Sequence, residues 1–165
     1  MTDAAALTAV PLFRDLDGDQ LRGIAGVLRS ARARAGDAIL LEGDPGRSLF
    51  VLVRGSVETT KHLGVIGLEN GAPRQKVLVR LSAPQFFGEI GLLEDTPRSA
   101  TVRAATDCEL LELQRTDFER LVDADLRLGY TLLRNIASSL IGRLRDTDRD
   151  VLKLTAALSI ALGNR

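Results

Sequence analysis

The sequence predicts a mainly β fold, an all-β barrel or roll with flanking helices, and three observations carry that expectation. From Ser30 to about Gln114 the chain is a series of short apolar runs separated by glycines and prolines, the texture of a β layer closing on itself. Ahead of it, Asp17 can cap a helix that puts Leu21, Ile24, Ala25 and Leu28 on one face. Beyond it, from about Asp125, only Gly129 and Gly142 interrupt strong helix formers, and no proline occurs. A chain of 165 residues is long enough for one buried core, so 1–165 is expected to be a single domain. Its parts are an N-terminal helix within 12–29, a β-roll over 30–114 and C-terminal helices over 115–165.

The expected strands are Ile39–Leu41, Leu49–Arg54, Ser56–Thr60, Val77–Leu81, Ser99–Arg103 and Glu109–Leu113. Gly36-Asp37, Gly43-Asp44-Pro45-Gly46 and Gly55 supply the turns between them. Leu63 to Lys76 is a polar, glycine-dotted connection, longer than a hairpin needs, and reads as a surface insertion. Thr116-Asp117-Phe118-Glu119 has the order of a capping box and is expected to start the second helical region.

Composition excludes several functions. Lys plus Arg total 22 and Asp plus Glu total 22, so no bulk field attracts nucleic acid or an anionic membrane. The N-terminus lacks the basic and apolar regions of a signal peptide, and no uncharged run approaches the ~20 residues that span a bilayer. With Cys108 the only cysteine, no internal disulfide forms, and the chain reads as cytoplasmic. Cys108 lies in an expected strand as a small core residue, and His62 has no second ligand at metal-binding spacing, so no metal is expected. No nucleophile–base pair or pair of carboxylates at working spacing supports an enzyme.

The informative stretch runs from Phe86 to Val102. Gly88 and Gly91 flank Glu89 and Ile90, and without Cβ atoms they let backbone approach a ligand closely. Successive N–H groups in such a turn can cradle an anion, and Arg98 adds a planar cationic fork suited to phosphate. Glu89 would repel a phosphate, so its natural partner is a neutral hydroxyl pair such as a sugar's. A phosphate grip and a sugar grip a few residues apart describe a small phosphorylated nucleoside.

Phe87-Gly88-Glu89-Ile90-Gly91-Leu92 and Pro97-Arg98-Ser99-Ala100-Thr101 closely resemble the phosphate-binding cassette of the cyclic-nucleotide-binding domain family. The spacing from Gly36-Asp37 through Glu42-Gly43-Asp44 to Leu49–Val57 resembles the β-roll of that family, so the resemblance covers roughly residues 12 to 150. It implies a double-stranded β-helix, a jelly-roll-like β-roll, with an N-terminal helix and a long C-terminal helix. It also implies that Glu89 binds the ribose 2′-hydroxyl and Arg98 the cyclic phosphate. Gly88, Ile90 and Ala100 would add backbone N–H groups and Ser99 its hydroxyl, with Phe87 and Gly91 completing the cassette.

Along the terminal helix, Leu133, Ala137, Leu140, Leu144, Thr147, Val151, Leu154 and Leu158 alternate spacings of four and three, a heptad seam that predicts a parallel homodimer, with a long helix packed on its own domain as the alternative. Thr147 is the one polar member. It is either a register-setting residue or, by resemblance to the bacterial transcription-activator branch, a hydroxyl that contacts the bound base, with Asp148 reaching the base of the partner subunit. Only Leu152 to Arg165 follow the seam, too few for that branch's helix-turn-helix, so direct DNA binding is not expected. The expectation is a stand-alone, catabolite-activator-like sensor of cyclic AMP, without enzyme activity, that passes closure of its long helix to an unidentified protein. Cyclic GMP is the competing ligand, because the Asp148 carboxylate could accept from N1–H and N2–H₂ of guanine. A non-binding interaction module with the same fold is the other alternative.

Overall fold

The computed structural model describes residues 7–62 and 75–163. The chain enters through a 3-10 turn, Pro11–Phe13, and then helix α1, Gly18–Val27. Asp17 caps α1 as expected: its carboxylate accepts from the backbone N–H groups of Asp19 and Gln20, and the Gln20 side chain accepts from the N–H of Asp17. Leu21 and Ile24 are buried, but Leu28 is already extended and stands outside the helix.

Eight strands follow among the described residues: β1 (Arg29–Ala33), β2 (Ala38–Leu40), β3 (Ser48–Arg54), β4 (Ser56–His62), β5 (Gln75–Ser82), β6 (Gln85–Phe87), β7 (Thr101–Ala104) and β8 (Cys108–Gln114). They form two antiparallel four-stranded sheets, ordered β1-β8-β3-β6 and β2-β7-β4-β5. Every expected strand is present, with shifted ends. The expected Ser99–Arg103 starts instead at Thr101, because Ser99 and Ala100 bend to finish the loop before it. The fifth strand begins at Gln75, so the last two residues of the expected connection are strand; 63–74 lie outside the described residues. Two strands, β1 and β6, have no apolar run of ordinary length. β1 reads Arg-Ser-Ala-Arg-Ala and is fixed by pairing with β8 along its whole length.

One apolar cluster lies between the sheets and includes Leu40, Phe50, Leu52, Val57, Phe87, Val102 and Cys108. The Cys108 thiol is buried, and burial pushes its pKa up. A second cluster lies under the helices, where Val51, Phe86 and Leu113 meet Phe13, Ile24, Leu132 and Ile136. Between β6 and β7 the chain makes one helical turn, α2 (Ile90–Leu93).

The chain passes from β8 directly into α3 (Arg115–Ala124), whose N-cap is Gln114 without a side-chain cap. The capping box expected at Thr116 does not form. Arg115 is already helical, and its N–H donates to the Arg47 carbonyl, so tertiary contact sets the start. Helix α4 (Leu126–Gly163) has 38 residues. Its first turns bury Leu128, Leu132, Asn135 and Ile136 against the domain, and Asn135 donates to the carbonyls of Leu12 and Arg14. From Ile141 onward the described residues of α4 are exposed, apart from a partly covered Arg143. Leu144, Val151, Leu154 and Leu158 of the heptad seam are each more than half exposed. No helix among the described residues is long and apolar enough to cross a membrane, and no group of three or more His, Cys, Asp or Glu among them could hold a metal ion.

Asp125 ties three helices together. Its carboxylate accepts from the N–H groups of Arg127 and Leu128 at the start of α4 and from the Gln20 amide of α1, and its own N–H closes α3 on Leu121. These bonds, the Gln20 amide first, hold its carboxyl below the usual aspartate range. Replacing Asp125 by Ala should lower the denaturant midpoint of unfolding at neutral pH. Because the folded pKa is depressed, the wild-type advantage is present above the ordinary aspartate pKa and is lost as pH falls through the folded value, so the two proteins should converge in acid.

A candidate ligand site between the roll and the long helix

A cavity of about 190 Å³ opens beside α2. Its lining joins an apolar set, Leu40, Val79, Leu81, Phe87 and Val102, to a polar set, Glu89, Arg98, Ser99 and Arg143. Phe87 holds its position by stacking on Phe50, with ring centroids 5.7 Å apart, and directly after it Gly88 takes a φ of 79°. That left-handed turn swings Glu89 back over the cavity and favours glycine.

Glu89 is 4% exposed, and a buried carboxylate needs a partner. Arg143, on α4, supplies it: Nη1 donates to Glu89 Oε1 at 2.7 Å, Nη2 donates to the Phe86 carbonyl at 2.7 Å, and the guanidinium lies over the Phe86 ring. One side chain thus connects the long helix to the end of β6 and to the floor of the cavity.

Arg98 is 8% exposed. Its backbone is pinned to the β2–β3 turn: its N–H donates to the Asp44 carbonyl, and its carbonyl accepts from Gly43. Nη1 donates to the carbonyls of Ser48 and Gly88, and Nη2 donates to the Ser48 hydroxyl, while Nε is buried without a hydrogen-bond partner. Burial lowers the Arg98 pKa from the usual arginine value, and Glu112, Asp44 and Glu89 pull the other way. An orphaned buried donor on a cation beside a polar recess is what an absent anion would satisfy.

The cavity therefore brings together Phe87, Gly88, Glu89, Ile90, Gly91, Arg98, Ser99 and Ala100 of the residues singled out from the sequence. Thr147 and Asp148 do not line it. Both are exposed on α4, and the Thr147 hydroxyl donates to the carbonyl of Arg143 one turn before it. Sequence reasoning missed Arg143, because one arginine among Arg134, Arg145 and Arg149 on a long helix carries no mark of its target. It also missed the lining residues Thr59, Val79 and Leu81, which only strand pairing brings to the cassette.

The profile of the family described as cyclic nucleotide-binding domain matches residues 31–125. The cAMP-activated global transcriptional regulator Vfr of Pseudomonas aeruginosa is 32% identical over 150 residues, covering 88% of this chain and 63% of Vfr. The Catabolite Activator Protein of Thermus thermophilus superposes with a TM-score of 0.72 at 28% identity, covering 88% of this chain and 63% of that one. A cyclic nucleotide-binding domain from Methylobacillus flagellatus superposes with a TM-score of 0.78 at 23% identity, covering 91% and 80%, and shares the fold. The chain spans less than two thirds of the length of the curated relatives it matches.

Replacing Arg143 by Ala leaves the Glu89 carboxylate buried without its cation, which should destabilise the ligand-free protein by roughly 1–3 kcal/mol. Adding Glu89→Gln to that variant removes the uncompensated charge and should recover part of the loss, read by chemical denaturation of the single and double mutants.

Proposed function

The chain belongs to the cyclic nucleotide-binding domain family, and we propose that it is a cyclic AMP sensor whose long helix reports occupancy of the site to a partner protein. The observation that carries this reading is the pairing of Glu89 and Arg98 in one cavity that also has apolar lining residues. A cyclic nucleotide has three matching parts. The phosphate can take the free donors of Arg98, with the Ser99 hydroxyl and the backbone N–H groups around Gly88, Ile90 and Ala100 beside it. The ribose 2′-hydroxyl can donate to Glu89, and the base can lie along Val79 and Leu81. Vfr, by its name, is activated by cAMP, which supports the choice of ligand class.

Occupancy reaches α4 through Arg143. A ribose hydroxyl at Glu89 shares that carboxylate with Arg143, so binding changes the contact that holds this helix to the roll. Thr147 lies one turn beyond Arg143. While donating to the helix backbone, its oxygen can still accept from the N6 amine of adenine once α4 closes. Asp148 instead favours guanine, whose N1–H and N2–H₂ it could accept together, and cyclic GMP is therefore the comparison ligand. The seam of Leu133, Ala137, Leu140, Leu144, Thr147, Val151, Leu154 and Leu158, exposed except at Leu140, which packs partly on the domain core, supports a parallel homodimer, which would set Asp148 of one protomer near the other's site.

Isothermal titration with cyclic AMP and then cyclic GMP tests the ligand. The expected outcome is saturable binding, one ligand per chain, tighter for cyclic AMP, and abolished in folded Glu89→Ala and Arg98→Ala. No heat and no shift in melting temperature with either nucleotide would replace the sensor with a non-binding interaction module. Sedimentation velocity tests the seam: the wild type should sediment as a dimer, and Leu144→Asp combined with Leu154→Asp should sediment as a monomer of unchanged fold.

A further inference from the structure

Arg98 is gripped from behind by a residue to which the cyclic-nucleotide reading gives no role. The guanidinium carries five N–H donors. Both Nη1 hydrogens are used, on the carbonyls of Ser48 and Gly88 at 2.8 and 3.2 Å, and one Nη2 hydrogen is used on the Ser48 hydroxyl at 3.1 Å. The donors left over are the buried, unpartnered Nε–H and the second Nη2 hydrogen. Those two lie on one edge of the fork, at the spacing that meets two oxygens of a phosphate. Ser48, itself 6% exposed at the start of β3, thus occupies the end of the fork with its carbonyl and its hydroxyl and keeps the side edge free.

The surrounding backbone leaves room for this one placement. A Cβ on Gly46 would lie 2.6 Å from Arg98 Cδ and Nε, and one on Gly91 would lie 2.7 Å from Nη1. Steric walls limit where the guanidinium sits, but hydrogen bonds decide which edge it presents. The Ser48 carbonyl belongs to the backbone and any residue would supply it; the hydroxyl is what the side chain contributes.

We propose that Ser48 is a positioning residue for phosphate recognition: through Arg98, its hydroxyl fixes the edge that the guanidinium offers to the exocyclic oxygens of a cyclic nucleotide. This rests on the reading of the cavity as a cyclic-nucleotide site. Without the hydroxyl, Nη2 has no acceptor at that end, the fork turns, and the two exocyclic oxygens become less distinguishable to the protein.

The test compares wild type, Ser48→Ala and Ser48→Thr by titration with cyclic AMP and with its two phosphorothioate diastereomers, in which sulfur replaces one or the other exocyclic oxygen. The wild type should bind the diastereomers unequally. Ser48→Ala should lose about tenfold in cyclic AMP affinity, the scale of one hydrogen bond to a charged group, and the ratio between diastereomers should shrink. Ser48→Thr, which keeps the hydroxyl, should retain the ratio. A Ser48→Ala protein that weakens both diastereomers equally, or binds all three ligands as the wild type does, overturns the positioning role and leaves the site reading intact. Failure of the wild type to bind any of the three overturns the site reading, and this inference with it.

Discussion

The structure turns on the burial of one arginine. A guanidinium removed from water is costly unless its donors are satisfied, and Arg98 is 8% exposed with the carboxylates of Glu112, Asp44 and Glu89 in its field. Gly46 and Gly91 give up their side chains to make the slot, Gly88 offers its carbonyl, and Ser48 offers two acceptors. The β2–β3 turn, the end of β6 and α2 are therefore held at one spacing by what the cation needs. Glu89 then follows Gly88 into the same cavity, and Arg143 follows Glu89 from the far helix. Arg143 compensates the buried Glu89 carboxylate, as the Ser48 and Gly88 carbonyls and the Ser48 hydroxyl satisfy Arg98.

Much of this was legible in the sequence, where local chemistry and final environment agree. The cap at Asp17 needs only its own turn and forms as read, with the Gln20 side chain completing a capping box that the reading did not include. The apolar residues of β3 and β8 are dense enough to announce themselves, and the cassette residues from Phe87 to Ala100 gather around one cavity because they sit on a single tight stretch of chain. Where a contact from elsewhere decides, local reading fails. Thr116 to Glu119 has the order of a cap, yet α3 starts earlier because Arg115 meets Arg47 across the fold. β1 has almost no strand character and exists because β8 pairs with it. Ser48 and Arg143 lie 50 and 54 positions from the charges they serve, and spacing cannot show that.

Helix α4 is two helices in one, divided by what covers them. Its first turns are anchored by Leu128, Leu132 and Ile136 in the domain core and by Asn135 on the carbonyls of Leu12 and Arg14. Past Ile141 the same helix is exposed on every side, and Arg143 is its last hold on the roll. An apolar stripe without cover is tolerated at a dimer seam, which makes the exposed half a surface that a second copy could complete.

The close contact at the base of this helix has a mechanical consequence. A Cβ on Gly129 would meet Val122 at 2.6 Å, so α3 and the start of α4 are pressed together with no slack, and Asp125 locks the corner between them. Such a corner tilts as one rigid piece. With 38 residues, α4 is about 57 Å long, so a tilt of about 10° at the corner carries its far end through about 10 Å. Measured from that corner, Arg143 lies about 26 Å along the helix and Leu158 about 48 Å, so a displacement at the cavity is nearly doubled in solvent.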